Sequence, residues 1–157
     1  MTDLLISPDL IEISLEVKSK EDGISILSQK LTDNGLVAEG FCQHILDREE
    51  KYPTGLPTSI PVALCHTEAD YVNRSALALA TLKNPVLFHE MGTPENELAV
   101  EVIFVLALKD PKDQVPMLRK IVSLFQNRET LRNIRYAVSG DVLSDYLKQS
   151  LKTNETF

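Results

Sequence analysis

From Val100 to Leu108 the chain reads Val-Glu-Val-Ile-Phe-Val-Leu-Ala-Leu, apolar throughout except for Glu101. A strand with one wet face alternates polar and apolar residues; a run this continuous marks a central strand covered on both faces. A chain with such a strand must carry helices to cover it.

The flanking sequence supplies them. Leu10 to Val17 alternates polar and apolar, the two-residue period of a half-buried strand. The next stretch, about 20 to 34, sets Ile24, Leu27 and Leu31 on one helical face, and Gly35 follows as a natural stop. A second helix is expected over 39–50 with Phe41, Ile45 and Leu46 inward, broken by Pro53 and Gly55. Val62-Ala63-Leu64 then leads into Cys65-His66 as a strand. Ser75 to Leu82, alternating small and large apolar residues, and Val86-Leu87-Phe88 read as two further strands, with a loop over Gly92–Asn96. Asp110 and Pro111 form an N-cap and first helical position. Leu118, Ile121, Val122 and Phe125 form the apolar stripe that follows. Two shorter helices carry Leu131 and Ile134, then Leu143, Tyr146 and Leu147, and the tail after Lys152 should fray. The expectation is an α/β fold, a mixed central β-sheet flanked by helices, in a single domain spanning 1–157 with its core at about 4–150.

Charge and composition remove whole classes of function. Sixteen basic against 23 acidic side chains leave a net charge of −7, which argues against nucleic acid as a partner. No apolar run reaches the roughly 18 residues that would suggest a membrane span. The N-terminal Met1–Ile6 has no basic leader, so a secretory signal is not expected. Two cysteines, Cys42 and Cys65, make neither a disulfide framework nor a zinc cage, and the expected compartment is the cytoplasm with both thiols reduced. The three histidines lack the helical spacing of a zinc motif, so no metal is expected.

Chemistry then concentrates in two segments. His66 ends an apolar strand, where α/β folds deliver side chains to a crevice. A neutral imidazole there can act as nucleophile or base; a half-buried histidine satisfied by a backbone carbonyl is the plainer reading of that position alone. Arg48 lies near the end of the second helix, where it could simply meet the last helical carbonyls. The helix runs directly into Pro53-Thr54-Gly55, a turn with a hydroxyl and a glycine amide suited to phosphate oxygens.

The ordered set Arg48-Glu49, Pro53-Thr54-Gly55 and Ala63-Leu64-Cys65-His66 resembles the IIA phosphocarriers of the bacterial sugar phosphotransferase system (PTS), in the fructose–mannitol superfamily. The Pro-Thr-Gly form and the residues Thr67-Glu68-Ala69 resemble the galactitol-specific branch most. The resemblance covers about 4–150 and implies an EIIA type-2 domain with the mannitol/fructose-type IIA fold. It implies that His66 is the catalytic nucleophile, becoming a phosphohistidine, and that Arg48 is set against the phosphoryl group. Thr54 and Gly55 would lie beside it. The usual proline before the histidine is Cys65 here, and the second histidine of many relatives falls nearest Gln114, which can donate a hydrogen bond but not a proton. His89 could in principle replace that partner, but reads as a surface histidine beside Glu90. His44, four residues before Arg48, shares its helical face and reads as a bystander.

The implied activity is phosphoryl transfer without a cofactor: HPr as donor, a IIB component as acceptor, and the membrane IIC component met only indirectly. Galactitol or a related polyol or hexose would be the sugar. A regulatory, nitrogen-type IIA module, whose phosphohistidine controls protein partners, is the alternative. A cysteine enzyme is disfavoured because Cys65 and His66, adjacent on a strand, point to opposite faces.

Overall fold

The computed structural model describes residues 3–154. Met1 and Thr2 lie outside them, as do 155–157, so part of the expected frayed tail is not described; the last helix itself continues to Asn154. In chain order the elements are β1 (Ile11–Leu15), α1 (Lys20–Asp33), α2 (Phe41–Lys51), β2 (Gly55–Leu56), β3 (Val62–His66), β4 (Ala76–Glu90), β5 (Thr93–Ala107), α3 (Gln114–Phe125), α4 (Arg128–Arg135) and α5 (Gly140–Asn154).

The sheet is built on β5. It pairs antiparallel with β4 and parallel with β3, whose five residues run in unbroken register from Val62↔Val102 to His66↔Leu106. Strand β1 adds parallel to β4, and the short β2 pairs antiparallel with β3 while touching the far end of β4 through Gly55↔Glu90. Successive residues of β5 belong to different cores. Ile103, Val105 and Ala107 face α1 and α2; Val102, Phe104 and Leu106 face the layer of α3, α4 and α5. This two-sided burial is what the apolar run demanded, and each fully buried Leu or Phe contributes about 1.5–3 kcal/mol. Strand β4 sorts by size across the same sheet. Ala76, Ala78 and Ala80 lie under α1 and α2, while Leu77 and Leu79 fill the opposite core. The small face lets α1 settle so close that a Cβ on Gly23 would come within 2.6 Å of Ile103 Cδ1.

Local chemistry sets the helix ends. Ser19 accepts the Asp22 N–H at 3.2 Å to start α1, and Gly35 takes the left-handed φ of 71° just beyond its end. Asp110 does cap, accepting the Lys112 N–H at 3.0 Å, but the turn it opens over Pro111–Asp113 is a 3-10 turn that runs on into α3.

Three expectations change. The alternation over Leu10–Val17 yields a strand of only five residues, because Ser14 adopts φ 54° and shifts the register between Glu12 and Leu15. The two strands expected over Ser75–Leu82 and Val86–Phe88 are one strand, β4, with an irregularity between Thr81 and Val86 that contains Pro85, which has no N–H to give the ladder. The expected loop Gly92–Asn96 shrinks to a turn at Met91–Gly92, which Gly92 permits with φ 80°. Its remaining residues, 93–96, lie within β5, and Pro94, Glu95 and Asn96 fall where the register slips opposite His89 and Glu90.

Gly55 owes its identity to packing. A Cβ there would meet the His89 carbonyl oxygen at 2.6 Å and Leu98 Cδ1 at 3.2 Å, and the backbone atom cannot turn aside. Gly55→Ala should therefore destabilise the fold by about 1–3 kcal/mol, read as a lower urea midpoint with an unchanged slope.

Candidate functional site

The parallel pairing of β3 on β5 carries His66 to the end of the sheet. Within its own strand the ring turns back, and Nδ1 lies 2.8 Å from the Leu64 carbonyl oxygen. A carbonyl only accepts, so Nδ1 must hold the proton and Nε2 is left with a free lone pair. Burial, with the Arg48 guanidinium as a smaller contribution, pushes the ring below the ordinary imidazole value; the Leu64 bond and Glu68 act the other way. At neutral pH the ring is thus an uncharged, oriented base.

Thr67, the next residue in the chain, lines a cleft of about 380 Å³ together with Arg48, Glu68, Ala69, Asp70, Pro111 and Gln114. Arg48 reaches it from the last turn of α2, its guanidinium 5.4 Å from the centre of the Tyr52 ring. Its Nη1 meets Glu68 Oε1 at 3.4 Å, and its enclosed Nε has no partner among the described residues. Gln114, the first residue of α3, enters from the other side of the sheet's edge. Positive charge and N–H donors thus converge beside a nucleophilic nitrogen, an arrangement suited to a transferring oxyanion group.

Two residues expected at the phosphate are engaged elsewhere. Thr54 is buried; its N–H and hydroxyl both donate to the Glu49 carboxylate, at 2.8 and 2.7 Å. Its donors are spent on tying the turn to α2. Gly55 lies in β2 and serves the close approach to His89 described above. The turn is a structural clasp, and Glu49, adjacent in sequence to Arg48, is its buried acceptor.

The other histidines also differ from expectation. His89 is not a surface residue beside Glu90. It lines a separate cleft of about 240 Å³ with Lys20, Glu21, Ile24, Leu46, Glu49 and Glu50, and its enclosed Nδ1 has no partner among the described residues. The two clefts share no lining residue. His44, read as a bystander, bonds Glu68 through Nε2 at 2.6 Å, and Glu68 in turn meets Arg48. That link was half visible in the sequence: His44 and Arg48 are one helical turn apart, and Glu68 follows His66 by two residues. Cys65 points away from His66 into the α1–α2 core, 3.6 Å from the Thr54 hydroxyl, with burial and Glu49 pushing its thiol up. Cys42 is half-buried, 3.8 Å from the Ser25 hydroxyl, and both thiols are free. Among the described residues no cluster could hold a metal ion, and no helix is long and apolar enough to cross a membrane.

The chain matches a family model over residues 4–150: "Phosphoenolpyruvate-dependent sugar phosphotransferase system, EIIA 2". It is 23% identical over 137 residues to the galactitol-specific EIIA component of Escherichia coli K12, covering 87% of this chain and 91% of that protein. Its fold is that of the Escherichia coli mannitol IIA crystal structure, with TM-score 0.76, 18% identity, and 92% and 99% of the two chains covered. It also superposes on the mannitol IIA of Escherichia coli in complex with phosphorylated IIB, with TM-score 0.75, 18% identity, and 93% and 99% covered.

Two measurements check this geometry. Ring nitrogen shifts of His66 at pH 7 should show a protonated Nδ1 and an unprotonated Nε2, with a titration midpoint below about 6.5. Burial holds the Glu49 carboxyl above its ordinary value. Such a group favours the folded state most while protonated, and that contribution is lost as pH rises past about 4.5 toward the folded value. The urea midpoint of Glu49→Gln relative to the wild type should therefore climb between pH 4.5 and 7.

Proposed function

We propose that His66 is the phosphoryl carrier of this chain, which belongs to the EIIA type-2 family of the phosphoenolpyruvate-dependent sugar phosphotransferase system. Components of this class transfer a phosphoryl group through a histidine. The observation that carries the assignment is the Nδ1–H bond to the Leu64 carbonyl, which leaves the Nε2 lone pair free on a ring that already feels the charge of Arg48.

The donor is HPr, phosphorylated on a histidine ring that is protonated on its other nitrogen. The lone pair of His66 Nε2 attacks phosphorus as the donor P–N bond breaks, and that bond's electron pair returns to the donor ring, which leaves as neutral imidazole. The positive charge passes to the His66 ring, whose Nδ1–H stays on Leu64. The transition state is loose and its charge lies on three equatorial oxygens. Arg48, with the unsatisfied Nε–H, and the Gln114 carboxamide face those oxygens, and the positive end of α3 adds to them. The chain's own residues supply the positive potential needed, so the step uses no cofactor.

The second transfer runs in reverse onto a IIB component. The galactitol-specific relative supports galactitol or a related polyol as the sugar, and the resemblance to that branch implies a cysteine as the acceptor on IIB. One EIIA type-2 domain, with its core at about 4–150, does this work in the cytoplasm and meets the membrane component IIC only through IIB. The acidic balance of the chain suits a basic donor surface.

Incubation with phosphoenolpyruvate, enzyme I and HPr, followed by intact-mass measurement, tests the assignment. The wild type and His89→Ala should gain one phosphoryl group and His66→Ala none; full phosphorylation of His66→Ala overturns it.

A further inference from the structure

Arg48 has two anions to serve. At rest its guanidinium faces Glu68, and on phosphorylation of His66 it must face a phosphoryl group instead. The two oxygens of Glu68 are used unequally. Oε2 accepts from Thr67 Oγ1 at 2.8 Å and bonds His44 Nε2 at 2.6 Å, whereas Oε1 meets Arg48 Nη1 at only 3.4 Å. These bonds, with His44 first and the residue's own backbone N–H second, push the Glu68 carboxyl down to about 2, so it is charged throughout the working range. Releasing Arg48 therefore breaks one long contact and leaves the carboxylate held by the short ones.

We propose that Glu68 is a positioning residue that lends its charge to Arg48 at rest and, anchored by His44 and Thr67, stays beside the phosphorylated site as a fixed negative charge that raises the transfer potential of phospho-His66. The idea rests on His66 being the carrier. A carrier that bound its phosphoryl group with every available cation and no opposing charge would hold it too firmly to pass on. Glu68 lines the cleft with Arg48 and Gln114 and its charge is felt at the His66 ring, so it opposes an incoming dianion there. His44 is assigned a role by the same geometry: it keeps Glu68 from collapsing fully onto Arg48.

The test is the equilibrium ratio of phosphorylated to unphosphorylated protein at a fixed ratio of phospho-HPr to HPr, read by intact mass. Wild type and His66→Ala are run first; phosphorylation of His66→Ala would sink the carrier assignment on its own, whatever Glu68 does. With that assignment standing, Glu68→Gln should move the ratio toward the phosphorylated form by about threefold, on the scale of an exposed ion pair. The shift should shrink at 1 M salt, where the Debye length is about 3 Å. Glu68→Asp, which keeps the charge, should stay near the wild-type ratio. His44→Ala should move the ratio the opposite way, and should have no such effect once Glu68 is Gln. A Glu68→Gln ratio equal to wild type, a shift indifferent to salt, or a Glu68→Asp that behaves like Glu68→Gln overturns the proposal.

Discussion

Everything near the site depends on the pairing of β3 with β5. It is parallel, unbroken over five residues, and buried on both faces. Because side chains alternate, the register decides which core each residue joins. Val62 and Leu64 go to the α3–α5 side, and Ala63 and Cys65 to the α1–α2 side. A slip of one residue would drive a valine and a leucine into a layer built for alanine and cysteine, so the register is strongly specified. The orientation of His66 is a by-product of that specification. The carbonyl that fixes its tautomer belongs to Leu64, two residues back on the same strand.

The last turn of α2 divides two environments. Arg48 goes to the cleft beside His66, half exposed and stacked near Tyr52. Glu49 goes inward and receives both donors of Thr54. The helix thus anchors the following turn with one residue and equips the site with its neighbour. The cost of burying the Glu49 carboxylate is offset only in part by two hydrogen bonds, which is why its carboxyl stays above the ordinary value.

How much of this was readable in the chain varies with the physics involved. The run from Val100 to Leu108 announced a strand covered twice, and the cap at Ser19 and stop at Gly35 follow local rules that need no tertiary context. The hairpin was harder. Pro85 and Pro94 are turn signals by composition, but long-range pairing along β4 and β5 absorbs both as irregularities. The fate of Thr54 was not readable either, since a hydroxyl in a turn can face solvent or core and only the packing of α2 decides. Glu68 was legible only as part of the Thr67-Glu68-Ala69 segment; its role comes from His44 and Arg48, which reach it only when α2 lies beside β3.

The clasp between Glu49 and Thr54 has a consequence for how the chain can vary in length. The span from Arg48 to His66 is pinned at both ends and in the middle: by the α2 phase, by Thr54 on Glu49, and by the β3 register. One residue gained or lost in α2 would rotate the helix by about 100° and exchange the environments of a guanidinium and a carboxyl. The tip at Met91–Gly92 has no such pins, and open space surrounds a Cβ on Gly92. Insertions and fused segments belong at that tip, and the eighteen-residue interval before His66 is the part of the molecule whose length is not negotiable.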